Sequence, residues 1–126
     1  MRIFKLKAFA RFQRRERIPD TALAKAVRIA DSGVIDADLG GGLIKLRIAR
    51  PGRGKSGGYR TVLAYRRGDR AVFLYGFAKS ERANIDSDEL IYWRGVAMDY
   101  LALNDKEIEA AIPADELIEV DHGDES

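Results

Sequence analysis

The sequence predicts an α+β fold in which two N-terminal helices and a C-terminal helix pack on a mainly antiparallel four-stranded sheet, in the order β-α-α-β-β-β-α. Three observations support this prediction. Helical spacing of apolar residues occurs before residue 33 and after residue 86, strand-like alternation fills the middle of the chain, and 126 residues suffice for one domain with one core. Hydrophobic residues at 46% and charged residues at 33% are typical of a soluble globular protein.

The N-terminal third predicts one strand followed by two helices. Polar and apolar residues alternate over residues 2–6, as in a half-buried strand. Residues 7–16 form an amphipathic segment that stops before Pro19, because the residue before a proline disfavours helix. A second helix begins near residue 20 and ends at Ser32-Gly33.

The middle of the chain predicts three strands. Residues 43–48 alternate, which places Lys45 and Arg47 on the face opposite three apolar neighbours. Residues 59–66 and 71–78 are rich in β-branched and aromatic residues, and a short turn over 67–70 pairs them as an antiparallel hairpin.

The last part of the chain predicts helices and an acidic end. Ser87 caps a helix whose apolar stripe continues to about residue 101, and Asn104 with Glu107 resembles a capping box for a short helix that ends near Ala111. Residues 117–120 form an edge strand. We therefore divide the chain into a main domain over 1–103, an extension over 104–120 and a disordered acidic tail over 121–126.

The net charge of +2 conceals a strong asymmetry along the chain. Residues 1–82 contain 20 Lys and Arg against 7 Asp and Glu, whereas residues 83–126 contain 2 against 13. A strongly basic surface favours a polyanionic partner. The asymmetry therefore points to a polyanionic partner, with the acidic end as a tail or shield.

Residue types that are scarce exclude several kinds of chemistry. The chain has no cysteine, which excludes disulfides, zinc–thiolate sites and a cysteine nucleophile. The single histidine, His122, lies in the acidic end, and the carboxylates form no clear ligand set, so we expect neither a metal nor a cofactor. No stretch is long and apolar enough for a membrane span or signal core, so we expect no membrane partner and a cytoplasmic location.

A glycine-rich basic connection follows the first strand of the middle region. Gly52, Gly54 and Gly57 match G-x-G-x-x-G, and Gly54-Lys55-Ser56 resembles the end of a phosphate-binding loop, but both motifs must open a helix and here a strand follows. What remains is a cationic run without an acid between residues 43 and 60, which is either a solvated face or a phosphate-binding groove. Its members are Lys45, Arg47, Arg50, Arg53, Lys55 and Arg60.

A crowded Lys and Arg surface suits one reaction in particular. Cleavage of RNA by its own 2′-hydroxyl needs a base for that proton, cations for the phosphate and an acid for the leaving oxygen. Arginine binds the developing charge in a bidentate manner, and lysine can act as acid or base.

Three segments resemble a known family of bacterial toxins. The Gly58-Tyr59-Arg60 step at the start of a strand and the segment 76–85, which reads GFAKSERANI, resemble the RelE/ParE superfamily of toxin–antitoxin systems. Segments 38–45 and 50–60, together with Phe77-Ala78-Lys79, are similar to the HigB-like branch, also called RelE-like. The resemblance covers about residues 1–103.

The resemblance implies a RelE-like fold and a ribosome-dependent endoribonuclease, an mRNA interferase that cuts messenger RNA in the ribosomal A site. It also implies a cognate antitoxin, a small helix-turn-helix protein encoded by the adjacent gene. Ser80 stands where well-known members have a second catalytic arginine, and Arg82 is a candidate to replace it. The implied catalytic residues are Arg60, Lys79, Lys45 and Arg82, and the implied RNA phosphate contacts are Arg47, Arg50, Arg53 and Lys55.

Two alternatives remain open at this stage. One is a non-catalytic inhibitor of DNA gyrase, as in the ParE branch. The other is a non-toxic module that binds nucleic acid, whose affinity would fall steeply with salt.

Overall fold

The computed structural model describes residues 1–50 and 54–121, without the side chains of residues 54–56. Helices and strands follow one another in the predicted order, with a short strand added before the first predicted strand of the middle region. The elements are β1 (Arg2–Lys5), α1 (Lys7–Glu16), α2 (Asp20–Asp31), β2 (Ala37–Gly40), β3 (Leu43–Arg50), β4 (Gly54–Arg66), β5 (Arg70–Ala78), α3 (Ser87–Ala102), α4 (Asp105–Ala111) and β6 (Ile118–Glu119).

The strands form one sheet in the order β2-β3-β4-β5-β1-β6. Every pairing is antiparallel except that of β1 with β5, which confirms the α+β prediction. The sheet has six strands in the described residues rather than four, because β2 adds to the edge of β3 and β6, at the predicted edge strand, adds to β1. The sequence of β2, ADLG, lacks the β-branched and aromatic residues that predict strands.

Helices cover both faces of the sheet and divide the core into two clusters. Helices α1 and α2 pack on one face, where Phe9 and Phe73 lie 5.2 Å apart between ring centroids. Helices α3 and α4 pack on the other face, against residues of the same strands that point the opposite way. The strand residues on this second face include Phe4, Leu43, Val62, Ala64 and Val72.

The end of α2 is closed by a glycine turn. Gly33 has φ +102°, its N–H donates to the Ala30 carbonyl at 2.9 Å, and the Val34 N–H donates to the Ile29 carbonyl at 3.2 Å. This pair of hydrogen bonds is a Schellman motif, which brings the side chains at its two outer positions together. Ile29 and Val34 therefore come together as an apolar pair at the end of the helix.

The N-cap of the long helix α3 lies one residue before the predicted cap. Asp86, not Ser87, is the N-cap: its carboxylate accepts from the Glu89 N–H at 2.9 Å, and the Asp86 N–H donates to Glu89 Oε1 at 3.4 Å. The two neighbouring residues are both good caps, so sequence could not separate them. The predicted capping box of Asn104 and Glu107 is confirmed. None of the helices in residues 1–50 and 54–121 is long and apolar enough to cross a bilayer.

A buried ammonium joins β1 to both N-terminal helices. The Lys5 Nζ donates to Gln13 Oε1 at 2.6 Å and to Asp20 Oδ1 at 2.9 Å. Burial opposes ionisation of Asp20, but hydrogen bonds from Gln13 and Lys5 outweigh it and lower the pKa of this carboxyl. A carboxylate with a lowered pKa stabilises the fold above its unfolded pKa and loses that contribution as the pH falls through the folded value.

We therefore expect Asp20→Asn to lower the free energy of unfolding at pH 7 by about 1–2 kcal/mol. Below about pH 4, the usual carboxyl pKa, the wild-type protein should lose this advantage. Urea denaturation between pH 3 and pH 7 measures the difference, which should shrink as the pH falls. A constant difference across that range would contradict the role given to the ionised carboxylate.

Candidate functional site

The strand registers place Arg60 in the middle of a row of three side chains. Arg60 on β4 lies opposite Arg47 on β3 and Phe77 on β5, so the three side chains share one face of the sheet. The next row on this face is Lys45, Val62 and Tyr75, and Val62 already belongs to the cluster under α3. The arginine row therefore lies beside the apolar core of this face.

Arg60 is the most unusual charged residue in the sheet. It is 5% exposed, and its Nη1 is the only buried side-chain nitrogen or oxygen in the described residues without a hydrogen-bond partner. Like charges directly opposite each other in a sheet are destabilising, and Arg47 stands opposite Arg60. A buried cation with an unused donor is costly to keep, and an anion between the two guanidinium groups would remove both penalties.

Lys45 and Arg47 share one carboxylate, which the sequence analysis did not single out. The Lys45 Nζ and the Arg47 Nη2 each lie 3.9 Å from an oxygen of Asp36. Charge-assisted hydrogen bonds are about 2.7–2.9 Å long, so both pairs are looser than hydrogen bonds. Asp36 therefore holds the two cations near the row, while their N–H groups stay available to hydrogen-bond a ligand.

Arg82 has the opposite arrangement, since all its nitrogens donate to protein groups. Its Nη2 and Nη1 donate to the Glu89 carboxylate at 2.6 and 3.1 Å. Nη1 also donates to the Tyr75 hydroxyl at 3.3 Å, and Nε donates to the Asn84 carbonyl at 2.9 Å. The hydrogen bonds with Glu89 raise the pKa of Arg82 and lower that of Glu89. Arg82 also lies over the Phe77 ring, 5.3 Å from its centroid, and so sits at the β5 end of the arginine row.

Lys79 extends the row toward the end of β5. Its N–H donates to the Gly58 carbonyl at 3.2 Å, which continues the ladder and keeps Lys79 on the same face as Phe77. Gly58 has no side chain to stand between Lys79 and Arg60. Lys79 and its neighbour Ser80 are both exposed.

Of the remaining predicted phosphate contacts, the structure describes the side chain of Arg50, which lies away from this row. The Arg50 guanidinium lies 5.6 Å from the ring centroid of Tyr59, which is buried in the cluster under α1 and α2. Arg50 therefore belongs to the opposite face. Arg53, the side chain of Lys55, and His122 with the rest of the acidic tail from residue 122 lie outside the described residues.

Aromatic side chains line the β5 side of the row. Tyr75 stacks on Trp93 with ring centroids 5.5 Å apart and planes 18° apart. Both rings, with Phe77 and Arg82, line a cavity of about 340 Å³ between α1 and α3. Sequence patterns did not indicate this aromatic cluster, because Trp93 lies on α3 and meets Tyr75 of β5 only in the folded chain.

The chemistry available here is cationic. In the ranges that the structure describes, no three His, Asp or Glu side chains are grouped so that they could hold a metal ion. Lys45, Arg47, Arg60 and Lys79 instead present donors on one face, next to aromatic rings. This combination fits a phosphodiester with its bases.

Comparison with known proteins adds independent information. A family model described as the RelE toxin of the RelE / RelB toxin-antitoxin system matches residues 1–120. The chain belongs to the RelE toxin family. No curated protein shows a significant match to the chain.

Membership of the RelE family makes the chain a toxin of a toxin–antitoxin system, with an antitoxin as partner. The match continues past residue 103 through α4 and β6. It does not distinguish branches of the RelE family, so the HigB-like assignment stays a prediction.

Proposed function

We propose that this chain arrests translation by cutting messenger RNA in the ribosomal A site, with the 2′-hydroxyl of the RNA as nucleophile. The observation that carries the proposal is the unpartnered Nη1 of Arg60, buried opposite Arg47. A phosphate placed there would accept hydrogen bonds from both guanidinium groups. Membership of the RelE family supports the same reading.

The nucleophile and the leaving group both belong to the RNA, and the protein supplies proton carriers and cations. The 2′-oxygen loses its proton to a base and bonds to phosphorus, the bond to the 5′-oxygen breaks, and that oxygen gains a proton. The products are a 2′,3′-cyclic phosphate and a 5′-hydroxyl. Arg60 and Arg47 stabilise the charge that builds on the phosphate oxygens, and Lys45 and Lys79 are the candidate proton carriers on the same face.

Arg82 acts as a positioning residue in this proposal. Its hydrogen bonds to Glu89 and Tyr75 connect the end of β5 to the start of α3. Its contact with the Phe77 ring supports the row in which Arg60 lies. The replacement of a catalytic arginine by Ser80 leaves Arg47 as the second guanidinium at the phosphate.

The antitoxin should neutralise this chain by covering the arginine row with acidic side chains. Complementary charge speeds the association of such partners and screens the row from RNA. We also predict that the antitoxin is a small helix-turn-helix protein whose gene lies beside the gene of this chain. The sequence of the neighbouring reading frame tests this prediction.

Controlled expression in a bacterial host, with the ends of cellular RNA mapped by sequencing, tests the proposal. We expect growth arrest and new 5′ ends within coding regions soon after induction. Growth arrest with intact RNA and a DNA-damage response would identify the gyrase-inhibitor alternative. Unchanged growth with intact RNA would contradict both.

A further inference from the structure

We propose that the cavity between α2 and the outer edge of β3 binds one guanine base of the RNA whose phosphate contacts Arg60. The inference rests on the proposed function, because Arg47 belongs to both sites. It adds a base specificity that neither the family match nor the arginine row supplies.

The cavity has an apolar wall and a charged rim. Its volume is about 300 Å³, at the lower limit of small-molecule sites, which suits one base better than a larger ligand. Asp36 and Arg47 form the rim. The apolar lining residues are Ala26, Ile29, Val34, Ile35 and Leu46.

Two apolar side chains of the wall, Ile29 and Val34, are largely exposed to water. Ile29 and Val34 come together in the glycine turn that ends α2, yet they remain 44% and 62% exposed. They are among the few large apolar side chains left in water. The flat face of a base would cover them, as apolar and aromatic surfaces do in other RNA sites.

The rim offers two acceptors beside one donor group. Asp36 directly precedes β2. Its backbone N–H donates to the Lys45 carbonyl at 3.0 Å, which fixes its position. Its two carboxylate oxygens lie 3.9 Å from Arg47 and Lys45, so their lone pairs are not used in hydrogen bonds to these cations. The Arg47 guanidinium stands next to them, on a side chain that is 42% exposed.

Guanine is the base whose pairing edge matches this order of groups. Its N1–H and N2–H are adjacent donors that fit one carboxylate, and the neighbouring O6 is an acceptor that fits arginine. Adenine has one donor beside an acceptor on the same edge, and the pyrimidines are smaller. Asp36 with Arg47 therefore selects guanine by hydrogen bonds, while the apolar wall holds any base.

The distance between the two sites suits a single nucleotide. Arg47 and Arg60 are directly opposite across β3 and β4, where Cα atoms are about 4.5–5.5 Å apart. The same Arg47 can therefore face the phosphate on one side and the base edge on the other. A base and its own phosphate are joined through one sugar, which spans this short separation.

Binding of uncleavable RNA tests the inference. The probes are fluorescein-labelled 2′-O-methyl pentanucleotides UUXUU, with guanosine, inosine or adenosine at X, measured by fluorescence anisotropy on the full chain. Inosine lacks only the 2-amino group, so it should bind about tenfold more weakly than guanosine, the effect of one hydrogen bond to a charged group. Asp36→Asn should bring the guanosine-to-inosine ratio close to one.

Asp38→Asn is the matched control, since Asp38 also lies near the β2–β3 edge and its replacement removes the same charge. Its Oδ1 accepts from the Gly40 N–H, which asparagine can also do. Loss of an acidic group should tighten binding of the adenosine probe somewhat in both variants. Only Asp36→Asn should weaken binding of the guanosine probe, whereas Asp38→Asn should keep the wild-type guanosine-to-inosine ratio. The ratio thus separates base recognition from general charge.

The outcomes distinguish the inference from the proposed function. If binding depends on Arg60 but all three probes bind equally, or if Asp36→Asn keeps the preference, guanine recognition by this cavity is wrong and the proposed function stands. If Arg60→Met leaves binding of all probes unchanged, the phosphate site fails, and the base site that depends on it fails too.

Discussion

Arg60→Met is expected to stabilise the fold and to remove RNA cleavage at the same time. Methionine leaves no unused donor in the buried position of Nη1 and removes the repulsion with Arg47. The free energy of unfolding should rise by about 1–3 kcal/mol, the cost of an unsatisfied buried polar group. The cleavage rate should fall about 10²–10³-fold, as when one donor to a transition-state oxyanion is lost.

Chemical denaturation and a ribosome-based cleavage assay measure the two effects on the same preparation. Arg14→Met is a suitable control, because Arg14 is exposed on α1, on the other side of the sheet. It should change neither quantity by much. A less stable Arg60→Met protein that still cleaves RNA would show that the arginine only supports the fold.

Gly58→Ala is expected to have the second largest effect, because it acts on the spacing of β3 and β4. A Cβ at this position would lie 2.8 Å from the Ile48 carbonyl oxygen, a backbone atom that cannot turn away. Strands β3 and β4 must therefore move apart at this point, which lies next to the Arg47–Arg60 pair. We expect a loss of about 1–3 kcal/mol in the free energy of unfolding, typical of overpacking, and a cleavage rate at least tenfold lower.

Gly95→Ala provides the comparison for this change. Gly95 lies in α3 with open space where a Cβ would be, and alanine favours helix. This variant should be slightly more stable than the wild type, by about 0.5–1 kcal/mol, with normal cleavage. Equal stability of the two glycine variants in thermal unfolding would contradict the close approach of the strands at Gly58.

Strong local patterns made much of the fold predictable. The alternation over residues 43–48 correctly separated Lys45 and Arg47 from the apolar side, as the burial of Ile44, Leu46 and Ile48 in the cluster under α1 and α2 confirms. The short strand β2 escaped prediction because its pairing with β3, rather than its residue types, makes it a strand. The cap at Asp86 differed from the prediction by one residue, since neighbouring Asp and Ser are equally suited to the position.

The candidate site was less predictable than the fold, because its properties depend on contacts distant in sequence. Sequence reasoning singled out Arg60 but could not show that its Nη1 lacks a partner. Glu89, seven residues from Arg82, and Asp36, nine residues from Lys45, become partners only in the folded chain. Arg50 lies in the same basic run as Arg47, yet it contacts Tyr59 on the opposite face.

The position of β1 between β5 and β6 has a consequence for the timing of synthesis. Strand β1 pairs with residues 70–73 on one side and with residues 118 and 119 on the other. Its second neighbour therefore becomes available only after residue 119 has been made, and such distant pairings fold slowly. The sheet therefore reaches its full width only after all of residues 2–119 have been synthesised.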